Sequence, residues 1–270
     1  MGAVQVFVLG SGSSGNALLV ASEGVHVLVD AGLGPRVFAE RLVALGLEGT
    51  IRLDAIVATH QHGDHFGHIE RVARAFGGTV YLHSGIEGTR VRRKFDTREY
   101  APGKSFRVGH LEILAEHVPH DVPQVAVRVA TEDRAVGIAT DVGHVTPRLF
   151  DLLGSCDAAV VEANYCPELL AHGPYPPSVQ RRVSGGLGHL SNGRTAELAQ
   201  KLVGTRLERL FLGHISRANN TPGRAYETVA NAAHRMDVSV LPNGQPCRLD
   251  VIRKKPIQLS LPLSDAALDW

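Results

Sequence analysis

Cysteine, net charge and long apolar runs are all scarce in this chain. Its 270 residues include three cysteines, Cys156, Cys166 and Cys247, whose odd number and spacing argue against a disulfide framework or a zinc finger. The formal net charge of +1 leaves no global basic field, so a polyanion would have to be held by local patches. No apolar stretch is long enough to span a bilayer, and residues 1–8 lack the basic region of a signal peptide. We therefore expect a soluble cytoplasmic protein with no membrane partner.

What is present predicts one α/β domain followed by a tail. The chain is 44% hydrophobic, which is enough for a substantial core. Short β-type runs predict strands over 4–9, 17–20, 26–29, 55–58, 80–82, 111–115, 125–129, 135–139, 158–162, 209–212, 238–241 and 248–252. Helical spacing of apolar residues predicts helices over 35–45, 69–76, 147–153, 194–202 and 224–235. This order predicts two sheets packed face to face with helices outside in residues 1–252, and an exposed tail over 253–270.

The segment from Thr59 to His65 carries the strongest functional signal. It has the sequence Thr-His-Gln-His-Gly-Asp-His and follows an apolar run over 53–58. Three imidazoles and a carboxylate this close together suit Zn, Mn or Fe, and one such loop can serve two ions. A His-rich stretch can also be a solvated loop that binds metal by accident. Its place directly after a strand-like run favours a true site.

Three further candidates also follow apolar runs of strand type: His120, Asp141 and His214. Each alone is more often a turn or cap residue, but together they would complete one His-rich site and one mixed Asp/His site. His117 competes with His120 for the same role.

The ordered set of these residues resembles the metallo-β-lactamase superfamily over nearly the whole chain. The resemblance implies a four-layer αβ/βα sandwich that holds two divalent ions, Zn or Mn. One ion would be bound by His60, His62 and His120, and the other by Asp64, His65 and His214. Asp141 would bridge the two ions, while Asp30 and Asp121 would orient the ligands. His120 is preferred to His117 because the His120-Asp121 pair matches the third motif of the family.

Segments outside the ligand set resemble the YycJ/WalJ group of that superfamily. They cover residues 9–16, 140–143, 161–164, 188–192 and 212–216. The group is described as metal-dependent exonucleases that act on DNA from the 5′ end, so the resemblance implies that activity and a DNA partner. The chain departs from the group where Tyr165, Cys166 and Pro167 stand in place of an expected His-Asp pair.

Two metals about 4 Å apart can activate a water for in-line attack on a phosphodiester. Asp64 is placed to orient that water or take its proton, and His189 is a candidate phosphate contact or leaving-group acid. His189 could equally cap the helix that begins near Arg194. The small residues of the opening loop could hold a phosphate, although a tight glycine turn explains the same sequence; they are Ser11, Ser13, Ser14 and Asn16.

Clustered positive charge is available to hold a polyanion. One cluster, residues 90–98, includes Arg92 and Arg93, and a second is Arg181 with Arg182, near Tyr175. Such patches would bind backbone phosphates without reading sequence, although a charge run is often only a solvated face.

The tail resembles the short peptide by which bacterial replication and repair proteins bind the β sliding clamp. The residues concerned are Gln258, Leu259, Leu261 and Leu263. An edge strand with alternating leucines packed inward would produce the same pattern.

The leading hypothesis is therefore a dinuclear-metal DNA exonuclease of repair or replication. A small-substrate hydrolase acting on a thioester, lactone or cyclic phosphodiester is the main alternative. An RNA-processing nuclease and a non-enzymatic regulatory protein are further ones.

Overall fold

Two seven-stranded sheets form the centre of the protein. A computed structural model describes residues 4–48, 51–87 and 89–251. In spatial order the first sheet consists of β14 (Cys247–Leu249), β1 (Gln5–Gly10), β2 (Ala17–Ser22), β3 (Val25–Val29), β4 (Ala55–Val57), β5 (Thr79–His83) and β6 (Thr97–Tyr100). The second consists of β13 (Asp237–Val240), β12 (Arg209–Gly213), β11 (Ala158–Glu162), β10 (Ala135–Ala139), β9 (Gln124–Ala130), β8 (Leu111–Val118) and β7 (Phe106–Val108).

Helices cover the outer faces of both sheets. They are α1 (Pro35–Ala44), α2 (Gly63–Phe66), α3 (Ile69–Phe76), α4 (Thr89–Lys94), α5 (Pro147–Gly154), α6 (Pro167–Ala171), α7 (Pro177–Ser184), α8 (Asn192–Leu202) and α9 (Pro222–Ala232). No described helix is both long and apolar enough to cross a membrane.

Three apolar layers hold these elements together. Between the sheets, side chains such as Val8 and Leu18 meet Val127 and Ile138 of the other sheet. A second layer packs Phe38 and other residues of α1 and α3 onto the first sheet, and a third packs α5, α8 and α9 onto the second. The expected four-layer αβ/βα architecture is therefore confirmed.

Most of the predicted elements are present with small shifts at their ends. Helix α3 and strands β10 and β11 have the predicted bounds. The predictions missed α2, α4, α6 and α7 and the short strands β6 and β7. Residues 252–270 lie outside the described part of the chain, so the tail and its four clamp-peptide residues stay predictions.

The topology brings the chemically interesting loops to one edge. Strands β3 to β6 run parallel to one another, as do β10 to β13. The carboxyl ends of parallel strands lie at one edge of their sheet, where loops carrying polar residues can converge. Asp30, the Thr59–His65 loop, Asp141 and His214 all follow such strand ends.

Candidate metal centre

Three residues at this edge have a left-handed backbone. Asp30, Asp141 and His214 have φ angles of +63°, +59° and +49°. A non-glycine residue in this region costs of order 1–3 kcal/mol and persists only where its surroundings hold it. At His214 one such restraint is a hydrogen bond from its backbone N, which Ser11 Oγ accepts at 2.9 Å. The backbone at these three strand ends is therefore strained, and its conformation sets the direction in which each side chain leaves the strand.

The first ligand group contains three histidines. One nitrogen each of His60, His62 and His120 lies within 4.8 Å of the other two. His62 Nδ1 is 3.3 Å from His120 Nε2, and His60 is fully buried. His117, the competing candidate, is exposed and has its ring 5.9 Å from that of His83. The structure thus brings His120 to the cluster rather than His117.

The second group adds carboxylates. Asp64, His65 and His214 form one set with atoms within 4.8 Å, and His60, His65 and Asp141 form another. His214 Nε2 lies 3.7 Å from both Asp64 Oδ2 and Asp141 Oδ1. Asp141 belongs both to the second of these sets and to a set with His189 and His214, so its carboxylate adjoins both parts of the cluster.

Unpartnered atoms test whether these residues fit a metal. His60 Nε2 and His214 Nε2 are buried and make no hydrogen bond. Asp141 Oδ2 also makes none, although it lies 2.9 Å from His65 Nε2. A buried polar atom without a partner is costly, and imidazole and carboxylate are the donors that Zn and Mn accept. The residues therefore fit divalent metal ions.

The charge balance of the site agrees with that assignment. Burial, reinforced by nearby His65, lowers the pKa of His60 to about 2, which leaves the neutral imidazole that binds metal. Burial also opposes a charged His65, but the carboxylates of Asp141 and Asp30 outweigh it and raise the pKa of His65 to about 10. The pKa of His214 is raised for the same kind of reason, chiefly by Asp141 against burial. The carboxylates of Asp30 and Asp141 thus favour positive charge in the site. Bound metal ions would supply that charge in place of the protons on the histidines.

Asp30 contacts the Thr59–His65 loop in a way that suits the orienting role implied by the family resemblance. Its carboxylate accepts hydrogen bonds from Thr59 N at 2.8 Å and Thr59 Oγ1 at 2.9 Å, and lies 2.7 Å from His65 Nδ1. His83, at the end of β5, adds a 3.1 Å contact from Nε2 to Thr59 O. With Nδ1 held in this way, His65 presents Nε2 to the cluster.

Glu162 is a component of the site that the sequence predictions missed. This carboxylate is fully buried at the end of β11. Its Oε1 accepts from Val142 N at 2.6 Å and Leu190 N at 3.0 Å, while Oε2 lies 3.0 Å from His189 Nδ1 and 3.4 Å from His214 Nδ1. An acidic residue ending a fully apolar strand run was the available signal. Glu162 therefore holds two histidines by their Nδ1 atoms.

His189 lies within the cluster. It forms a group with Asp141 and His214, and it lines the cavity beside them. Burial opposes its charged form, but contact with Glu162 outweighs this and raises the pKa of His189. The alternative role as a helix cap is wrong, because Ser191 caps α8 by accepting from Arg194 N.

The side chains of the opening loop, residues 11–16, mainly contact other residues of the site. Asn16 is buried, with Nδ2 2.7 Å from His65 Nε2 and 3.3 Å from Asp64 Oδ2. Ser11 holds His214 N, Ser14 is exposed, and Ser13 lines the cavity. Of the four predicted phosphate contacts, Ser13 thus has the most suitable position, and the Asn16 amide is engaged with the candidate ligands His65 and Asp64.

The two basic clusters differ in their relation to the site. Arg182 lines the cavity, and its Nη1 donates to Asp121 Oδ2 at 3.0 Å. Asp121 Oδ1 in turn lies 3.2 Å from both His62 Nε2 and His120 Nε2, which suits the predicted orienting role. Arg181 lines a neighbouring hollow between α6 and α7.

The first cluster, on α4, contributes nothing to the described lining of the metal cavity. Arg92 lies 3.6 Å from Glu99 and donates to Ile86 O, while Arg93 is exposed. Arg90 also pairs with Glu70 at 3.1 Å, so this patch is less positive than its sequence indicated.

A cavity of about 400 Å³ opens on the cluster. Its lining includes Asp64, Asp141, His189 and His214 from the cluster and Arg182 from α7. A site of this kind can bind metal, activate water and place a cation next to an anionic substrate.

Comparisons with known proteins agree with the fold and the site. Residues 26–215 match the model of the beta-lactamase superfamily domain. The exodeoxyribonuclease WalJ of Streptococcus pneumoniae is 31% identical over 242 residues, which cover 86% of this chain and 89% of that protein. The exodeoxyribonuclease YycJ of Bacillus anthracis is 28% identical over 222 residues, or 79% of this chain and 83% of that protein.

Among solved structures, the metallo-β-lactamase fold protein YhfI from Bacillus subtilis superposes with a TM-score of 0.68. The superposition covers 91% of this chain and 99% of YhfI at 18% identity, a level that speaks for the fold alone. Taken with the converging His and Asp side chains, these matches show that the chain belongs to the metallo-β-lactamase superfamily, in its YycJ/WalJ-type group, and is a metal-dependent hydrolase.

Proposed function

We propose that this protein is a two-metal phosphodiesterase, and specifically a 5′-to-3′ DNA exonuclease of repair or replication. One observation carries the proposal: two overlapping ligand groups share Asp141, and Asp141 lines a cavity that Arg182 also lines. Residues so placed could hold two ions, which would supply the chemistry for in-line displacement of a phosphodiester. The names of the WalJ and YycJ relatives, both exodeoxyribonucleases, support DNA as the polymer.

The position of each ligand group indicates which ion it would bind. His60, His62 and His120 would hold one ion, and Asp64, His65 and His214 the other, with Asp141 between them. When bound, the ions would supply Lewis-acid chemistry for phosphodiester hydrolysis.

Two side chains are placed to handle protons. The Asp64 side chain is 25% exposed at the cavity wall, where it can orient the attacking water or accept its proton. His189 has Nδ1 held by Glu162, so the proton that it can give to the leaving oxygen is on Nε2. Arg182 would contact a substrate phosphate from the α7 side.

Digestion of end-labelled nucleic acids tests the proposal. Single- and double-stranded DNA and RNA are incubated with Mn²⁺ or Zn²⁺, and products are resolved from the 5′ and 3′ ends. We expect mononucleotides released from the 5′ end of DNA. Asp141→Asn should abolish release, whereas Asp151→Asn, an exposed carboxylate on α5, should not change it. Turnover of a thioester, lactone or cyclic phosphodiester without cleavage of any polymer would overturn the proposal, as would cleavage of RNA alone.

The role of His189 has its own test. His189→Ala should slow hydrolysis of a natural phosphodiester by about 10²–10⁴-fold, the usual contribution of a general acid. A thymidine 5′-phosphate ester with a p-nitrophenol leaving group needs no proton, so its hydrolysis should be far less affected. Equal losses on both substrates would assign His189 to metal binding instead.

The C-terminal peptide stays a separate proposal. We propose that Gln258, Leu259, Leu261 and Leu263 bind the bacterial β sliding clamp; they lie outside the described residues. Calorimetric titration of clamp with the full chain should give binding that Gln258→Ala plus Leu261→Ala removes. Equal binding by both proteins, or none by either, would show the peptide to be something else.

A further inference from the structure

A small apolar cluster lies beside the metal cavity, apart from the main core layers. Tyr165, Leu170 and Val183 are buried in it, and Tyr175 and Val179 pack against them. It is built by the segment that carries α6 and α7. None of its side chains belongs to a ligand group of the metal cluster. The cluster therefore needs an explanation other than metal binding.

Three of its residues also face the cavity. Tyr175, Val179 and Val183 line it together with the charged residues of the metal cluster. Gln180 Nε2 donates to Tyr175 O at 3.0 Å, which fixes the backbone where α7 begins. The cavity lining thus combines metal-ligating side chains with an apolar group of three side chains, Tyr175 just before α7 and Val179 and Val183 on α7.

A cation lines the same cavity. Arg182 is on α7, and its partner Asp121 contacts His62 in the metal cluster. A ligand held at the metal cluster would therefore have a guanidinium and an apolar surface with an aromatic ring within one cavity. A nucleotide has groups that match these, since a phosphate is joined through a sugar to a flat base.

We propose that the surface formed by Tyr175, just before α7, and by Val179 and Val183 of α7 is the subsite for the base of the terminal nucleotide, with Arg182 on its phosphate. This inference rests on the proposed function, because it says where the proposed substrate's base binds. The cavity, at about 400 Å³, is in the size range of sites for one small ligand. Stacking on an aromatic ring tolerates every base, as a non-specific exonuclease requires.

Kinetics on defined oligonucleotides provide the first test. Loss of one stacking contact corresponds to about 5- to 150-fold in binding. Tyr175→Ala should lower kcat/KM by about 10-fold, mainly through KM, whereas Tyr175→Phe should keep the preference for a base. Tyr226→Ala is the matched control, since Tyr226 is 47% exposed on α9 and lies outside the cavity lining.

A substrate with an abasic 5′-terminal nucleotide tests whether Tyr175 contacts the terminal base. It should reduce kcat/KM of the wild-type protein about as much as Tyr175→Ala does, and reduce that of Tyr175→Ala no further. A loss that appears only when the abasic site is penultimate would refute the assignment to the terminal base. Thermal unfolding of each variant excludes a general defect.

Equilibrium binding separates this inference from the proposed function. Calorimetry compares thymidine 5′-monophosphate with deoxyribose 5-phosphate on the wild type and Tyr175→Ala. A preference for the nucleotide that Tyr175→Ala removes supports the subsite even if no polymer is cleaved. If DNA is cleaved but both ligands bind equally, the subsite is wrong and the exonuclease proposal stands.

Discussion

Replacing Glu162 by glutamine should weaken metal binding while preserving the shape of the site. A glutamine can keep Oε1 as the acceptor for Val142 N and Leu190 N, which lie 2.6 and 3.0 Å away. It then turns an NH₂ group toward the Nδ1 atoms of His189 and His214, at 3.0 and 3.4 Å in the wild type. That donor favours His214 with its proton on Nε2, the nitrogen that faces Asp64 and Asp141. A protonated Nε2 cannot bind a metal.

The flipped orientation of the glutamine amide is also unfavourable. The NH₂ would then face two backbone N–H donors, which leaves buried donors unsatisfied at about 1–3 kcal/mol. Loss of a group that orients a metal ligand typically costs 10–100-fold in metal affinity, which corresponds to about 1.4–2.7 kcal/mol. We therefore expect Glu162→Gln to raise the Kd for Zn²⁺ or Mn²⁺ by about that factor. Calorimetric titration of metal into the chelator-treated protein measures it.

The opposite end of the same strand supplies the control. Asp157 precedes β11 and is also a buried carboxylate, accepting from Ala135 N at 2.7 Å, Arg206 at 2.8 Å and Arg134 at 3.0 Å. Asp157→Asn should lower stability without changing the Kd for metal. An unchanged Kd in Glu162→Gln would refute the orienting role, and an equal loss in Asp157→Asn would attribute it to destabilisation.

Three more predictions concern stability and loop position. Gly32→Ala would place a Cβ 1.8 Å from Asp64 O, so it should shift the metal loop and lower the hydrolysis rate by about 100-fold. Gly223→Ala is the control, because its Cβ would meet no atom within 4 Å and the hydrolysis rate should not change. Chelation should lower the Tm by about 10 °C, because metal at 1,000 times its Kd stabilises the folded state by about 4 kcal/mol; an unchanged Tm would contradict a metal-held site. The pKa of Asp157 is lowered by Arg206, Ala135 N and Arg134 against the effect of burial, so its stabilisation is full above the unfolded pKa of about 3.9 and is lost as pH falls through the folded value. Urea unfolding from pH 6 to pH 2 should therefore show the gap between wild type and Asp157→Asn closing on acidification.

The clustered His and Asp residues that could hold metal were predictable from sequence because their signals are local. The Thr59–His65 loop carries four candidates in one run, and His120, Asp141 and His214 each follow an apolar strand. The parallel order of the strands then brings them to one edge without further information. Which ion each residue would bind was implied only by the family resemblance. Sequence spacing alone does not distinguish a carboxylate that bridges two ions from one that binds a single ion.

Other parts of the site have no local signal. Glu162 ends an apolar strand, and the partners that explain a buried charge there are distant in sequence, with His189 and His214 lying 27 and 52 residues away. Helix α7 was missed because only Val179 and Val183 give it an apolar face, too short a pattern to show a period. Strand β6 is only four residues long, with two of them exposed, so its sequence alternation is equally weak.

The left-handed residues show how the strands of the second sheet act together at the site. Asp141, at φ +59°, is followed by Val142, whose N–H is held by Glu162 Oε1 at 2.6 Å. Glu162 Oε2 lies 3.4 Å from the ring of His214, itself at φ +49°. One carboxylate on β11 thus restrains the strained residues that follow β10 and β12 on either side. If this is how the strain is held, Glu162→Gln and His214→Ala should be strongly non-additive in metal affinity, because either change alone already releases the same ligand. Additive losses would mean that Glu162 acts on the metal through His189 instead.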